Sequence, residues 1–135
     1  MKKIILSLLV LTLTGCFENS GYLTKSCTKI DKANTLTTTT TYTFSFKNDI
    51  IDDINVLYNY TDESDITITS IKTSVESQNK YLDLNYEVLN DTANKYEIKY
   101  NIDLNSNEEI LDKFMIKKSR TELVKNLKQQ GYECE

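Results

Sequence analysis

The chain has 135 residues with 16 Lys and Arg against 20 Asp and Glu, a formal charge of −4, and contains no histidine, proline or tryptophan. Without histidine it lacks the commonest general base, the commonest metal ligand and the natural pH switch at once. The acidic balance argues against nucleic acid and anionic lipid headgroups as partners, since a duplex binder needs a basic patch to release counterions; the length suits one domain and leaves too little for a second core.

Lys2 and Lys3 give a positive start, and Ile4 to Leu13 form an apolar run broken only by Ser7 and Thr12. A helix needs about 20 such residues to cross about 30 Å of hydrocarbon, so the run reads as a signal peptide and not as a span. It ends in Leu13-Thr14-Gly15-Cys16, which resembles the lipobox of bacterial lipoproteins. The resemblance implies that residues 1–15 are removed and that the Cys16 thiol becomes a diacylglyceryl thioether at the new N-terminus, with palmitate-type chains. The competing reading is an ordinary secretory peptide with a chance cysteine. Two or three acyl chains, at about 0.8 kcal/mol per buried methylene, hold a protein stably where one does not. The expectation is a protein anchored to the extracytoplasmic face of the cell membrane without crossing it. Removal of residues 1–15 takes away two basic residues and no acidic one, which moves the charge from −4 to −6.

Residues 16–25 read as the lipidated N-terminus and a polar, flexible tether, and 26–135 as a single α+β domain. Cys27 to Ile30 opens a short strand, with Asp31 to Asn34 as its turn. Cys27 and Cys134 are the two cysteines left beside Cys16. Outside the cytoplasm such a pair forms a disulfide more often than a metal site, and two cysteines without histidine fall short of a four-ligand zinc site. The bond would close a loop of 107 positions, worth up to about 4 to 5 kcal/mol in the chain-entropy model. Without disulfide machinery both thiols stay free.

From Thr35 to Lys47, Leu36, Thr38, Thr40, Tyr42, Phe44 and Phe46 alternate with Thr37, Thr39, Thr41, Thr43 and Ser45, the period of a strand with one wet face. The threonine run also fits a glycosylated stalk or a regular binding ladder, but β-branched threonine suits an exposed strand surface. A turn at Lys47-Asn48-Asp49 returns the chain into Ile54, Val56, Tyr58 and Tyr60, completing a hairpin. Thr61 to Ser64 offer cap-type residues, and Ile68, Ile71 and Val75 then predict a helix to about Lys80. Ile66 to Thr69 also alternates as a strand would. Leu82, Leu84, Tyr86 and Val88, a turn at Asn90 to Asn94, and Tyr96, Ile98, Tyr100, Ile102 and Leu104 predict a second hairpin. Ser106 with Glu109 and Ser119 with Glu122 read as capping boxes of two short helices, and Gly131 as the residue that ends the second. The fold class is therefore α+β, an antiparallel sheet of about four to five strands in two hairpins with helices packed on one face.

This order of parts resembles the YehR-like family of small bacterial lipoproteins. The likeness rests on Leu13 to Cys16, the Cys27-Thr28-Lys29 start, the strand Thr41 to Asp49 and the ending Gly131-Tyr132-Glu133-Cys134. It implies an α+β domain with helices on one face of an antiparallel sheet, and it supplies no catalytic residues.

Little in the chain reads as chemistry. The acidic groups Asp49, Asp52 and Asp53, and Asp62, Glu63 and Asp65, lack the glycine and distal glutamate of a calcium loop, and read as solvated turn and helix-start charges. No Gly-x-Ser-x-Gly elbow and no phosphate-cradling glycine loop occur, although spacing alone leaves a Ser-Lys or Asp-Asp site open. Tyr42, Tyr58, Tyr60, Tyr86, Tyr96 and Tyr100 share the phase of the aliphatic residues and read as core with hydroxyls at the rim; a sugar-stacking or partner-binding surface is the other reading. Tyr22, Tyr81 and Tyr132 fall outside that phase and are expected at the surface. No cofactor, metal or nucleic acid is expected, and no enzyme activity. The leading expectation is a surface interaction or accessory lipoprotein with an envelope protein partner. The alternative is a receptor or envelope sensor for a small ligand held between sheet and helices. An inhibitor of an extracellular enzyme or a phage-exclusion factor ranks below both.

Overall fold

In the computed structural model, residues 22–104, 109–113 and 116–135 are described. The elements run β1 (Tyr22–Ala33), β2 (Leu36–Lys47), β3 (Ile50–Thr61), α1 (Asp65–Leu82), β4 (Tyr86–Thr92), β5 (Lys95–Asp103), α2 (Ile110–Lys113), α3 (Arg120–Gln129) and β6 (Glu133–Cys134). The strands form one antiparallel sheet in the order β4-β5-β3-β2-β1-β6. The α+β antiparallel class is as expected, but the sheet has six strands and not four to five. The added strand is β6, two residues too short to show any periodicity in sequence.

The alternation in β2 and β3 carries through to the fold. Phe44, Phe46, Ile54 and Val56 are buried on the core face, while Thr41 on the opposite face meets Thr28 of β1, their Oγ1 atoms 3.1 Å apart. Lys47 pairs with Ile50 across Asn48 and Asp49, both at positive φ, the geometry of a type I′ hairpin turn matched to the strand twist. The first hairpin differs from expectation. β1 begins at Tyr22, inside the stretch read as tether, and continues through Ala33, so the turn is Asn34-Thr35. Pairing with all twelve partner residues of β2 holds a strand that its own sequence does not announce.

α1 runs over the predicted span and continues to Leu82, where Asp83 at φ 53° caps it by donating its N–H to the Asn79 carbonyl. Leu82, expected in a strand, is thus the last residue of the helix, and Leu84 follows the cap with its N–H on the Asn79 carbonyl. Val88 keeps the core-face phase opposite Ile98 but is 44% exposed, because β4 is the edge strand of the sheet; the register shifts only beyond it, between Val88 and Asn90. Of the two predicted capping boxes, Ser106 lies outside the described residues. Ser119 does occupy the N-cap of α3, but its hydroxyl makes no capping bond. Backbone pairing replaces it: the Arg120 N–H donates to the Asp49 carbonyl at 3.0 Å and the Ile51 N–H to the Lys118 carbonyl at 3.0 Å. Ile68 and Val75 of α1, Ile110 and Leu111 of α2, and Leu123 and Leu127 of α3 join the core-face strand residues in one buried cluster. No described helix is long and apolar enough to cross a membrane.

Candidate functional site

Cys27 and Cys134 are disulfide-bonded and stand directly opposite each other in β1 and β6. Ser26 and Glu135 exchange both backbone hydrogen bonds, at 3.1 and 2.8 Å. Three further features hold β6 in place. Gly131, at φ 91°, reverses the chain after α3 with its N–H on the Lys128 carbonyl, and the Tyr132 N–H reaches the Leu127 carbonyl, the two bonds of a Schellman motif. The Tyr132 ring packs on Tyr42 with centroids 5.6 Å apart, and the Lys29 ammonium lies 5.9 Å from its centre.

β6 covers the outer edge of β1 only at Ser26 to Thr28. Backbone groups on one edge of an antiparallel strand recur every second residue, so Thr24 and Tyr22 aim their N–H and C=O outward on the same side as Ser26. Among the described residues neither has a strand partner there. Beside this edge lies an open trough of about 600 Å³ lined by Lys25, Arg120, Thr121, Val124, Lys125, Lys128 and Gln129. Thr121, Val124, Lys125 and Lys128 form one stripe of α3 by helical spacing, while Leu123 and Leu127 turn to the core. The lining holds four cations and no carboxylate. Arg120 Nη2 is tied to Asp49 Oδ1 at 2.9 Å, whereas Lys25, Lys125 and Lys128 form no ion pair among the described residues. A strand continuing the line of β6 past Glu135 would hydrogen-bond to Thr24 and Tyr22 and lie along this trough.

Of the predicted site residues, Cys27 and Cys134 are brought together beside the trough, and Cys16 lies outside the described residues. The cationic set was not visible in the chain's net acidity, which averages over a local segregation of charge. The signal was the spacing of Thr121, Lys125 and Lys128 on a short amphipathic helix; nothing in sequence links them to Lys25.

The acidic groups do not converge. Among the described residues no three His, Cys, Asp or Glu side chains stand close enough to hold a metal ion. Asp62, read as a solvated charge, is instead buried, 6% exposed. Its carboxylate accepts from the Thr35 hydroxyl at 3.1 Å and from the N–H of Ser64 at 2.7 Å, the N-cap residue of α1, whose own side chain makes no capping bond. Tyr96 and Tyr100 are buried and Tyr42, Tyr58, Tyr60 and Tyr86 half-buried in the core-face phase. Burial pushes the Tyr60 and Tyr96 hydroxyls up to about 12 and raises Tyr42 further. Tyr22 and Tyr81 are exposed as expected. Tyr132 is not: it is half-buried against the core, and burial raises its hydroxyl as well.

No family model and no curated protein matches the chain. It is similar to an NMR structure of a protein from Streptococcus pneumoniae TIGR4, with a TM-score of 0.55 and 15% identity over 100% of this chain and 97% of the other. At that identity the likeness shows the fold alone.

Proposed function

We propose that this chain is an extracytoplasmic lipoprotein of the YehR-like kind, anchored to the cell membrane through an acylated Cys16 after removal of residues 1–15, and that it serves as an interaction protein and not as an enzyme. In this reading the helices cover one face of the sheet, and the partner is an acidic, extended segment of another envelope protein. It adds a strand beside β1 and lays its carboxylates over α3. One observation carries the proposal: the edge at Tyr22 and Thr24, which has no strand partner among the described residues, runs beside a trough lined by four cations and no carboxylate. Strand addition draws its affinity from main-chain bonds and its specificity from alternate side chains, and charge complementarity adds on-rate and partner choice. Six residues from Cys16 to Tyr22 reach at most about 20 Å, so the partner segment would be met close to the bilayer.

A photo-crosslinking residue at Thr121, used in intact cells, tests this. The expected adduct is one envelope protein, linked through an acidic segment, and Lys125→Glu with Lys128→Glu abolishes it while leaving the melting temperature unchanged, since both positions are exposed. An adduct that survives the double charge reversal, an adduct with lipid alone, or none at all would overturn the proposal.

A further inference from the structure

The end of the sheet where β1 begins carries a row of side chains that the trough does not use. Tyr22 pairs with Lys47, and Lys47 with Ile50, so the three stand side by side across three strands, with Ile50 about 10 Å from Tyr22 at about 4.8 Å per strand. Tyr22 and Ile50 are 47% and 51% exposed, and the Lys47 ammonium lies 5.7 Å from the centre of the Tyr22 ring. Beside Ile50 a hollow of about 400 Å³ is lined by the aliphatic Ile51, Leu104 and Leu111 and by Lys47, Asp52 and Lys118. The backbone here is tied on both sides. Ile50 bridges to Ser119, the Ile51 N–H donates to the Lys118 carbonyl at 3.0 Å, and Arg120 holds Asp49.

Exposed apolar side chains scattered singly need no explanation; what sets this row apart is its place. In the lipoprotein proposed above, the chain enters the domain at Tyr22 after a reach of at most about 20 Å from Cys16, so the row stays close to whatever surface holds Cys16. Its chemistry suits a phospholipid surface. A tyrosine ring settles at headgroup level, a lysine lays its methylenes along apolar surface while its ammonium reaches outward, and an aliphatic tip buries apolar area at the acyl boundary. Charge does not oppose the contact. In the strand ends, the Asn48-Asp49 turn and the run before α3, the cations Lys47, Lys117, Lys118 and Arg120 stand against the carboxylates Asp49, Asp52, Asp53 and Asp103, so this end is balanced although the whole chain is acidic.

We infer that this row is the domain's own seat on the bilayer: Tyr22 and Ile50 enter the headgroup layer of the phospholipid membrane that holds Cys16, and the Lys47 ammonium donates to lipid phosphate. The inference rests on the lipoprotein reading and adds to it the protein surface that meets the lipid. Each contact is weak. The anchor, however, makes the contact intramolecular, so the lipid is present at high effective concentration and the row needs little affinity of its own. The ties to Lys118 and Ser119 hold Ile50 at the tip in advance, which reduces the ordering that contact must impose.

The test uses the acylated chain, methyl-labelled at isoleucine, in nanodiscs of phosphatidylethanolamine and phosphatidylglycerol that carry a nitroxide on the acyl chain near the glycerol. The Ile50 methyl signal should lose most of its intensity, while those of Ile30 and Ile66, exposed towards the opposite end of the sheet, keep theirs. Lys47→Glu and Tyr22→Ser, both at exposed positions, should each restore most of the Ile50 signal, with the core methyls of Ile54 and Ile98 reporting that the variants are folded. Co-elution with the discs reads the anchor independently. A chain that co-elutes with a sharp Ile50 signal overturns the seat and leaves the anchor standing. So does a loss of Ile50 signal that survives both substitutions, as proximity through the tether alone would give. A chain that does not co-elute overturns the anchor and the seat together.

Discussion

Asp62 shows how much one side chain can organise. Beyond its bonds to Thr35 and Ser64, its own N–H donates to the Asn94 carbonyl at 3.1 Å. The Asn94 amide donates in turn to the carbonyls of Asp62 and Glu63 at 3.1 and 2.9 Å. One residue thereby joins the β1–β2 turn, the entry to α1 and the β4–β5 turn. Asp62→Ala would leave the part-buried Thr35 hydroxyl and Ser64 N–H without their acceptor, and should lower stability by about 1–3 kcal/mol. Asp62→Asn keeps an oxygen in place and should lose clearly less. Urea unfolding of the two variants checks this, and equal losses would mean that the hydrogen bonds are not what the residue contributes. The sequence shows an acidic cluster here, but burial is conferred by turns 27 and 32 positions away, and no local pattern encodes them.

Among the elements, β6 depends most on a covalent tie. It pairs through two residues only, far short of what an isolated strand needs, and the disulfide across 107 positions is what fixes it. Replacing Cys27 and Cys134 by serine should cost up to about 4 to 5 kcal/mol by loop-closure entropy. Hydrogen exchange should report the loss first at Ser26 and Glu135, while the β2–β3 amides stay protected. Unchanged exchange at Ser26 would show that the Gly131 turn and Tyr132 suffice. The same contrast explains which elements were legible. β5 buries every second residue, β2 and β3 keep their large apolar and aromatic residues mostly in one phase, and periodicity exposes all three directly. β1 places Lys25 on the core-facing side opposite Phe44, so its alternation is hidden and its length comes from its partner strand. The end of α1 and the bulge in β4 were set by Asp83 and by edge position, not by hydrophobic spacing. The trough was illegible for a similar reason, since Lys25 and α3 stand about a hundred residues apart and meet only through the register of β1.

At the scale of the molecule, the proposed anchor imposes an orientation. Tyr22 pairs with Lys47, and Arg120 at the start of α3 is bound to Asp49, so the Asn48-Asp49 turn and the entry to α3 share one end of the sheet with the start of the domain. Asn34 sits at the other end of a twelve-residue strand, about 40 Å away at about 3.3 Å per residue. A linker of at most about 20 Å keeps the Tyr22 end near the bilayer, and an upright domain then carries the Asn34 end about 40 Å farther out. With the acylated protein in bilayers carrying paramagnetic headgroups, amide signals of Asn48 and Lys118 should broaden more than those of Asn34 and Asn94. Cys16→Ser should remove the difference and release the protein. Equal broadening at both ends, or membrane retention without Cys16, would refute the anchor. An upright stance also sets the edge of β1 at Tyr22 and Thr24 next to the membrane, so only a partner segment emerging from the bilayer or lying along its surface could reach it.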